Sequence, residues 1–333
     1  MAKSPNLFVI GAMKSGTTAL CRDLSEHPAI FMSAIKEPGY FAREGNPSSL
    51  EKYRRLFARA SDQAYLMEGS TEYTMRPDIE GVADRIHAFN AGARFIYLMR
   101  DPLSRVVSHY RQLVRKGLEK RPLPLAVQHY SLYLAIGYYA YQLRPYLERF
   151  GPETLFIDTF ESFIASPAAF YPRLFHWLGI DASVLPRSAG KPENENPDAI
   201  EAYNEQSYRV RLLRMVTPGL RQHPRLARLL PQVATRWYRR ILPKESVRKA
   251  DSHDFAREVE ETRCLVQPVL AEWISELEEL TGRCYREWPS RKSDGSQEES
   301  GRIWLPEGLN GGGQRGYDVD TRSQRSGAPA RAE

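Results

Sequence analysis

Cysteine is scarce in this sequence, and long apolar segments are missing. The three cysteines, Cys21, Cys264 and Cys284, form neither an even set nor a metal-ligand spacing. This argues against disulfides and structural zinc and predicts free thiols in a reducing compartment. The apolar run near the start extends only from Leu7 to Ile10, too short for a signal-peptide core, and no other run approaches a membrane span. We therefore expect a cytoplasmic protein.

Apolar residues are frequent enough, at 42% of 333 residues, to bury a sizeable core. Short apolar runs that end in loop or charged residues alternate with helical stretches; the runs are Leu7–Ile10, Tyr65–Met67, Arg94–Met99 and Thr154–Ile157. This alternation predicts a doubly wound α/β domain with a parallel sheet, spanning roughly residues 5–180. Ligands bind beyond the carboxyl ends of such strands, so the site is expected there.

The remaining segments differ in composition. Residues 125–147 are rich in tyrosine and predict a core-packing helix, or alternatively an aromatic wall for an acceptor. A helical part follows over residues 200–285, with an amphipathic run, Leu270–Leu280, closed by Thr281 and Gly282. Residues 290–333 are rich in Gly, Ser and charge, which predicts a disordered tail. The predicted domain is therefore residues 1–289.

The formal charge of +6 is concentrated in one segment. Residues 205–250 contain twelve Lys or Arg against Glu205 and Glu245, about +10 by this count. Leucines interleave with these arginines, as in basic amphipathic helices. The segment predicts an anionic partner: an acceptor glycan or lipid, or a membrane surface touched peripherally. A plain solvated helical face and a non-enzymatic binding module for membranes or nucleic acid remain alternatives, and no sequence-specific nucleic-acid motif is evident.

A candidate phosphate loop follows the first strand. It consists of small, basic and hydroxyl residues, Gly11-Ala12-Met13-Lys14-Ser15-Gly16-Thr17-Thr18, and a helical stretch begins at Ala19. Small residues let successive N–H groups and a helix N-terminus converge on one anion. The spacing differs from the nucleotide-triphosphate loop G-x-x-x-x-G-K-[ST], because Lys14 precedes the second glycine. A simple strand-to-helix turn is the alternative interpretation.

A second candidate anion site lies after the strand Arg94–Met99. Arg100-Asp101-Pro102 ends this strand, and Pro102 is expected at the start of a helix. Arg100 and Ser108 could face one phosphate, whereas Arg105 and Tyr110 are expected to be structural. A kinase or nucleotide hydrolase would have a magnesium-binding acid here. Alone, this segment could be a salt-bridged corner. Paired with the loop at Lys14, an arginine in that place favours a metal-free site for a nucleotide with separate 5′ and 3′ phosphate groups.

These blocks resemble those of the sulfotransferases that use 3′-phosphoadenosine 5′-phosphosulfate (PAPS). Lys14-Ser15-Gly16-Thr17-Thr18 is similar to the family's 5′-phosphosulfate loop, and Arg100-Asp101-Pro102 through Ser108-His109-Tyr110 is similar to its 3′-phosphate motif. Lys36-Glu37-Pro38-Gly39-Tyr40-Phe41 resembles a segment of the carbohydrate branch, which includes heparan sulfate enzymes, and Met67-Glu68-Gly69-Ser70-Thr71-Glu72-Tyr73 resembles a fourth block. The resemblance covers about residues 5–180.

The resemblance implies a role for each matched residue. Lys14, Ser15, Gly16, Thr17 and Thr18 would hold the 5′-phosphosulfate, and Arg100 and Ser108 the 3′-phosphate. Glu37 would be the catalytic base for a hydroxyl or amine, and Lys14 would stabilise the leaving phosphate without a metal. The counterpart of a later Gly- and Lys-containing loop is Gly190-Lys191-Pro192, and whether Lys191 covers the donor is left open.

Other titratable residues are weighed against Glu37. A surface ion pair with Lys36 is the structural alternative for Glu37 itself. His27 precedes Pro28 and is expected to cap a helix end, whereas His109 is expected on a helix surface. Glu68 and Glu72 are expected either to orient the acceptor or to support Lys14 and Arg100. The acceptor itself, whether carbohydrate, glycolipid or secondary metabolite, is not encoded in these motifs.

Overall fold

The computed structural model describes residues 4–43, 47–187 and 253–291. The basic segment 205–250, Lys191 and residues 292–333 lie outside the described residues. All described residues belong to one compact unit. None of the described helices is both long and apolar enough to cross a bilayer. The predicted domain bounds, the membrane contact and the disordered tail stay predictions.

The described part of the chain contains a five-stranded parallel sheet in the order β2-β3-β1-β4-β5. The strands are β1 (Leu7–Gly11), β2 (Ile30–Met32), β3 (Tyr65–Gly69), β4 (Arg94–Met99) and β5 (Leu155–Thr159). Four of them confirm predicted runs to within two residues at either end. The sequence missed β2, because three residues are too few to show a period of two.

Helices connect and follow these strands, which confirms the α/β fold. Before the gap they are α1 (Thr17–Ser25), α2 (Pro47–Arg55), α3 (Val82–Phe89), α4 (Pro102–Arg115), α5 (Leu123–His129), α6 (Leu132–Ala135), α7 (Tyr139–Phe150), α8 (Phe160–Ala165) and α9 (Pro167–Leu178). After the gap comes α10 (His253–Thr281). Pro102 is the first residue of α4, as predicted, because its fixed φ suits a position whose N–H has no helical partner.

Alternation along β1 and β4 divides the core into two layers. Leu7, Val9, Ile96 and Leu98 form one buried cluster with α1 and α9. On the other face the ring of Phe8 lies 5.7 Å from Phe95, and Phe95 lies 5.1 Å from Tyr146 of α7. Both faces of the central strands are therefore covered, as a parallel sheet requires.

The tyrosine-rich region forms three short helices rather than one, and it belongs to the core. Tyr133, Tyr139 and Tyr146 are fully or almost fully buried. The Tyr146 hydroxyl donates to the carbonyl of Tyr73 at 2.8 Å. The core-packing prediction is thus confirmed, because these rings have no surface to offer an acceptor.

The C-terminal helix α10 packs on this same region. The ring of Trp273 stacks on Tyr138 at 4.5 Å, and Phe255 stacks on Tyr110 at 5.8 Å. The N–H of Leu123 donates to the buried carboxylate of Glu258 at 2.9 Å. Residues 253–291 therefore complete the same core as the first 187 residues.

Candidate active site

The order of the strands places the candidate site at the carboxyl edge of the sheet. The chain leaves β1 on one side and returns through β4 on the other, so β1 and β4 flank the topological switch point. Ligands of open α/β sheets bind in the crevice at this point. The loop after β1 and the corner after β4 are the two predicted anion sites.

The loop after β1 has the backbone of a tight strand-to-helix turn. Gly16 directly precedes α1 and has φ 84°, a conformation that favours glycine. A Cβ atom at Gly16 would lie 2.6 Å from the ring of Phe160. Lys14 also has a positive φ, 73°. The loop therefore projects Lys14 from a strained backbone next to the free N–H groups at the start of α1.

The hydroxyl residues of this loop are placed at the helix start. Ser15 is fully buried, and its Oγ has no hydrogen-bond partner in the described part of the chain. Thr17 is buried and Thr18 is half-buried in the first turn of α1. A buried hydroxyl without a partner costs free energy unless a ligand or water supplies the bond. This fits a loop that binds the oxygen atoms of an anion.

Lys14 lies in a strongly cationic environment. Burial is the main cause that lowers its pKa to about 8; the charges of Arg115, Lys116 and Arg100 act in the same direction, whereas Glu37 opposes the shift. No hydrogen bond or ion pair joins Lys14 to another described residue. Positive charge is therefore concentrated around Lys14, and an anionic ligand would be stabilised here.

The corner after β4 holds Arg100 by its backbone. The Tyr139 hydroxyl donates to the carbonyl of Arg100 at 2.6 Å. The carboxylate of Asp101 accepts from the N–H of Ser104 at 2.9 Å and caps α4. The Arg100 guanidinium lies 4.9 Å from the ring of Phe160, within range of a cation–π interaction. Phe160 therefore contacts both predicted anion sites.

Within α4, the structure separates ligand candidates from structural residues. Ser108 is half-buried, two turns after Arg100, as predicted. Arg105 is fully buried and donates to the carbonyl of Tyr133, and Tyr110 donates to the carbonyl of Arg121 at 2.8 Å; their structural roles are confirmed. The prediction for His109 was wrong. It is only 2% exposed, because the ring of Tyr133 covers it at 4.8 Å.

Glu37 lies on the loop after β2, beside the carboxyl end of β3. Its N–H donates to the carbonyl of Gly69 at 2.7 Å, and its φ is 58°. Oε1 accepts from Lys36 Nζ at 2.9 Å and from Thr71 Oγ1 at 3.3 Å. The side chain is 24% exposed, and it interacts electrostatically with Lys14. Glu37 is thus both paired with Lys36 and part of the site.

Glu68 and Glu72, the two other carboxylates predicted near the site, differ in how far they are buried. Glu68 is fully buried, so it does not contact an acceptor, and its partners are hydroxyl groups rather than Lys14 or Arg100. Glu72 is half-exposed and packs on Gly39, where an added Cβ would lie 1.7 Å from its Oε1. The prediction that Glu68 orients the acceptor or supports the cations was wrong.

His27 holds the turn after α1, as its capping role predicts. Its Nδ1 accepts from the N–H of Ala29 at 3.1 Å, and its Nε2 lies 3.0 Å from the carbonyl of Asp181. Nε2 therefore carries the hydrogen. With both nitrogen atoms engaged and 3% of its surface exposed, His27 is a structural residue.

Residues far from the motifs in sequence support the Arg100 corner, and no sequence signal predicted them. Glu161 accepts from the N–H of Asp101 and from Trp288 Nε1, both at 3.0 Å. Ser290 donates its N–H to Asp101 Oδ2, also at 3.0 Å. No motif marks these residues, because each contact joins segments far apart in the sequence.

The fold and the cation cluster together define an α/β protein whose carboxyl edge suits a phosphorylated ligand. A model of the sulfotransferase family matches residues 5–183. This match covers more than half of the chain, and the protein therefore belongs to the sulfotransferase family. The predicted family is confirmed.

Curated relatives point to the same branch as the sequence motifs. Heparan sulfate glucosamine 3-O-sulfotransferase 3A1 of Mus musculus is 30% identical over 186 residues, covering 53% of this chain and 46% of the relative. Heparan sulfate glucosamine 3-O-sulfotransferase 6 of Homo sapiens is also 30% identical, with 53% and 52% covered. The chain thus spans about half the length of these relatives.

A further relative and a solved structure agree with the family. The membrane-associated sulfotransferase kil1 of Dictyostelium discoideum is 32% identical over 130 residues, covering 38% of this chain and 27% of the relative. The crystal structure of a sulfotransferase from Alicyclobacillus acidocaldarius superimposes with a TM-score of 0.55 and 23% identity, covering 87% of this chain and all of that one. This last likeness concerns the fold.

Proposed function

We propose that this protein transfers the sulfuryl group of PAPS to a hydroxyl or amine of a carbohydrate, glycolipid or secondary-metabolite acceptor. The observation that carries the proposal is that the switch point of the sheet brings together the loop of Lys14 and the corner of Arg100, with Glu37 on the neighbouring loop beside the end of β3. These residues come from three separate segments that the sequence assigned to leaving group, donor phosphate and acceptor.

The donor would be held at two points. The backbone N–H groups of the loop after β1, with the hydroxyls of Ser15, Thr17 and Thr18, would bind the 5′-phosphosulfate. Arg100 and Ser108 would bind the 3′-phosphate. The unpartnered Oγ of buried Ser15 fits this ligand, because a phosphate oxygen would accept its hydrogen.

Two side chains would assist the reaction: one would stabilise negative charge and the other would accept a proton. PAPS supplies an activated sulfuryl group on a phosphate leaving group, and Lys14 would stabilise the negative charge that develops on that phosphate. Glu37 would accept the proton of the acceptor hydroxyl. Its bond to Lys36 at 2.9 Å would fix the carboxylate in place. That no metal takes part stays a prediction.

The acceptor class follows from the relatives and from charge. Relatives named for 3-O-sulfation of heparan sulfate glucosamine favour a carbohydrate hydroxyl. Arg115 and Lys116 lie close enough to Lys14 to lower its pKa, and they favour an acceptor that carries negative charge. The cytoplasmic location and a peripheral membrane contact through residues 205–250 remain parts of this proposal.

The test is a transfer assay with the full-length protein. PAPS with labelled sulfate is offered with carbohydrate, glycolipid, hydroxyl and amine acceptors, and labelled ATP replaces PAPS in a parallel arm. We expect sulfate transfer and no phosphate transfer. Glu37→Gln should lower kcat roughly 100-fold or more, because general base catalysis is lost, and leave the affinity for the product nucleotide unchanged.

A matched control comes from another carboxylate in an ion pair. Glu51 pairs with Arg55 at 2.6 Å on the surface of α2, and Glu51→Gln should retain full activity. Arg100→Ala should weaken nucleotide binding instead of the chemical step. Failure of the unmodified protein to bind the nucleotide and to transfer sulfate to any acceptor would refute the proposal, and phosphate transfer from ATP would favour a kinase.

A further inference from the structure

A fully buried carboxylate lies under the loop that carries Glu37. Glu68, at the carboxyl end of β3, has no exposed surface. Its Oε1 accepts from Tyr53 and Tyr73 at 2.6 and 2.8 Å, and its Oε2 accepts from Ser70 at 2.7 Å. Burying a carboxylate costs free energy, so Glu68 is expected to do more than fill space in the core.

Two of these hydroxyl groups also accept hydrogen bonds from backbone N–H groups of the loop that carries Glu37. Ser70 Oγ accepts from the N–H of Gly39 at 3.1 Å, and the Tyr73 hydroxyl accepts from the N–H of Phe41 at 3.2 Å. Within the described part of the chain, the Tyr53 hydroxyl is hydrogen-bonded only to Glu68. Glu68 therefore reaches the backbone on both sides of Tyr40 through two hydroxyl relays, and Gly39 is two residues after Glu37.

We propose that Glu68 is a positioning residue, which in its ionised form holds the 37–41 loop, and with it the carboxylate of Glu37, in the geometry required for proton transfer. This inference rests on the proposed function, since it assigns Glu37 a proton to accept. Glu68 acts through the loop backbone and touches neither donor nor acceptor.

The relay depends on the charge state of Glu68 for a reason of hydrogen-bond direction. An ionised carboxylate only accepts, so Ser70 and Tyr73 must both donate to it, which leaves their lone pairs free for the loop N–H groups. Polarisation by the charge also makes each hydroxyl oxygen a stronger acceptor. Protonating Glu68 removes this polarising charge and places a donor hydrogen against one of the three hydroxyl groups, so it weakens the relay.

Glutamine produces the same conflict while keeping the shape. Whichever way its amide turns, the NH₂ group faces a hydroxyl that holds the loop. That hydroxyl must then accept from the amide and from the loop N–H, and its own hydrogen loses its acceptor. We therefore expect Glu68→Gln to loosen the loop at Gly39 or at Phe41.

The surroundings of Glu68 contain tyrosines and one acid. They are Tyr53 from α2, Tyr73 and Glu72 from the turn after β3, and Tyr146 from α7. Burial raises the pKa of Glu68 to about 7, although the three hydroxyl bonds lower it. Nearby Arg85 is engaged elsewhere, because its Nε donates to the carbonyl of Phe41 at 2.7 Å. Protonation of Glu68 near neutral pH is thus accessible.

Two tyrosine substitutions separate positioning from general stability. Tyr53→Phe and Tyr73→Phe each remove one hydroxyl bond to Oε1 of Glu68, and both residues are buried, with 3% and 1% exposed. Only Tyr73 carries the relay to the loop. We expect Tyr73→Phe, Ser70→Ala and Glu68→Gln to lower kcat by about 10-fold to 100-fold, as a misplaced catalytic group does. Tyr53→Phe should lose similar stability in urea but little kcat.

Binding and pH dependence complete the experiment. Affinity for the product nucleotide should stay unchanged in all four variants, because the described side-chain hydrogen bonds of Glu68 reach neither the loop after β1 nor the Arg100 corner. In the unmodified protein kcat should fall as Glu68 becomes protonated below about pH 7. Stability should respond in the opposite direction: a carboxyl group with a raised pKa binds more protons folded than unfolded, so its contribution is lost as the pH rises towards 7. A purely structural role would move activity and stability together.

The outcomes are distinguishable. If the unmodified protein transfers sulfate and Glu37→Gln abolishes transfer, but Tyr53→Phe and Tyr73→Phe lower kcat equally or Glu68→Gln leaves kcat and its pH profile intact, the positioning role is overturned. If the unmodified protein transfers no sulfate, the proposed function fails first. The expected result is a kcat defect confined to the relay variants.

Discussion

The surroundings of Lys14 bring its pKa close to the pH of an ordinary assay. Burial and the charges of Arg115, Lys116 and Arg100 lower its pKa to about 8. A bound phosphate would favour the charged form, so nucleotide binding should raise that pKa and take up a proton around pH 8 to 9, and affinity should fall as the pH rises through 8. Calorimetry in buffers of different ionisation enthalpy measures this uptake directly.

The control for this prediction keeps the charge and removes the titration. Lys14→Arg stays protonated throughout this range, so its nucleotide binding should be weaker but free of proton uptake. An uptake that persists unchanged in Lys14→Arg would assign the proton to another group.

Gly16 packs against the ring of Phe160, which also contacts Arg100 of the second anion site. An alanine there would force a positive φ on a residue with a Cβ, and that Cβ would lie 2.6 Å from Phe160, which also faces Arg100. We expect Gly16→Ala to weaken nucleotide binding about 10-fold or more, since moving a charged contact costs roughly 1.5–3 kcal/mol. Titration with the product nucleotide checks this.

Gly179 provides the comparison, because it has φ 71° and no atom within 4 Å of an added Cβ. Gly179→Ala should cost stability of about 1–3 kcal/mol from backbone strain but leave nucleotide affinity unchanged. Equal affinity losses in both variants would show that strain alone, and not the contact with Phe160, is responsible.

The candidate anion-binding residues could be found from the sequence because each motif is a short continuous segment. Lys14 and its loop follow a strand directly, and Arg100 ends another, so elementary sheet geometry brings them to one edge. Burial was not readable. Histidine is polar and His109 was predicted on a helix surface, yet Tyr133 from α6 covers it, and that contact depends on tertiary packing.

At the scale of elements, the segment after α10 supports the Arg100 corner. Trp288 donates to Glu161, and Glu161 accepts from the backbone of Asp101. Replacing Trp288 with Phe keeps a ring but removes the donor, so Glu161 should turn and loosen Asp101. We expect nucleotide affinity to fall several-fold, about what one hydrogen bond of 0.5–1.5 kcal/mol supplies.

Another tryptophan with the same type of bond tests whether the effect is local. Trp177 Nε1 donates to the carbonyl of Glu153 at 3.0 Å, away from the loop after β1 and the Arg100 corner. Trp177→Phe should lose comparable stability and keep its nucleotide affinity. An affinity loss in this variant, or none in Trp288→Phe, would contradict a specific role for the C-terminal segment.

The presence of a strand was easier to predict from the sequence than the long-range contacts that hold the site in place. The long runs β1, β3, β4 and β5 carry enough apolar residues to be found, whereas β2 has three residues and no pattern of its own. The contact between Trp288 and Glu161 spans 127 residues. Such pairings are fixed by the packing of α10, and nothing in either local sequence indicates the other.

For the whole molecule, one core is built from two distant parts of the chain. The family match ends at residue 183, yet Trp273 of α10 stacks on Tyr138 at 4.5 Å and Phe255 stacks on Tyr110 at 5.8 Å. Without α10 the outer sides of α4, α5 and α7 would be exposed to water. We therefore predict that the matched family region does not fold on its own.

Truncation tests this dependence. A chain ended after Arg187 should lose cooperative unfolding and bind hydrophobic dyes, because burial of each large side chain of α10 contributes about 1.5–3 kcal/mol and a domain has only about 5–15 kcal/mol in total. A chain ended after Arg291 should unfold cooperatively and bind the nucleotide. Thermal unfolding, dye binding and nucleotide titration of both chains decide the matter; a cooperative fold in the shorter chain would show that α10 is an addition to the core rather than part of it.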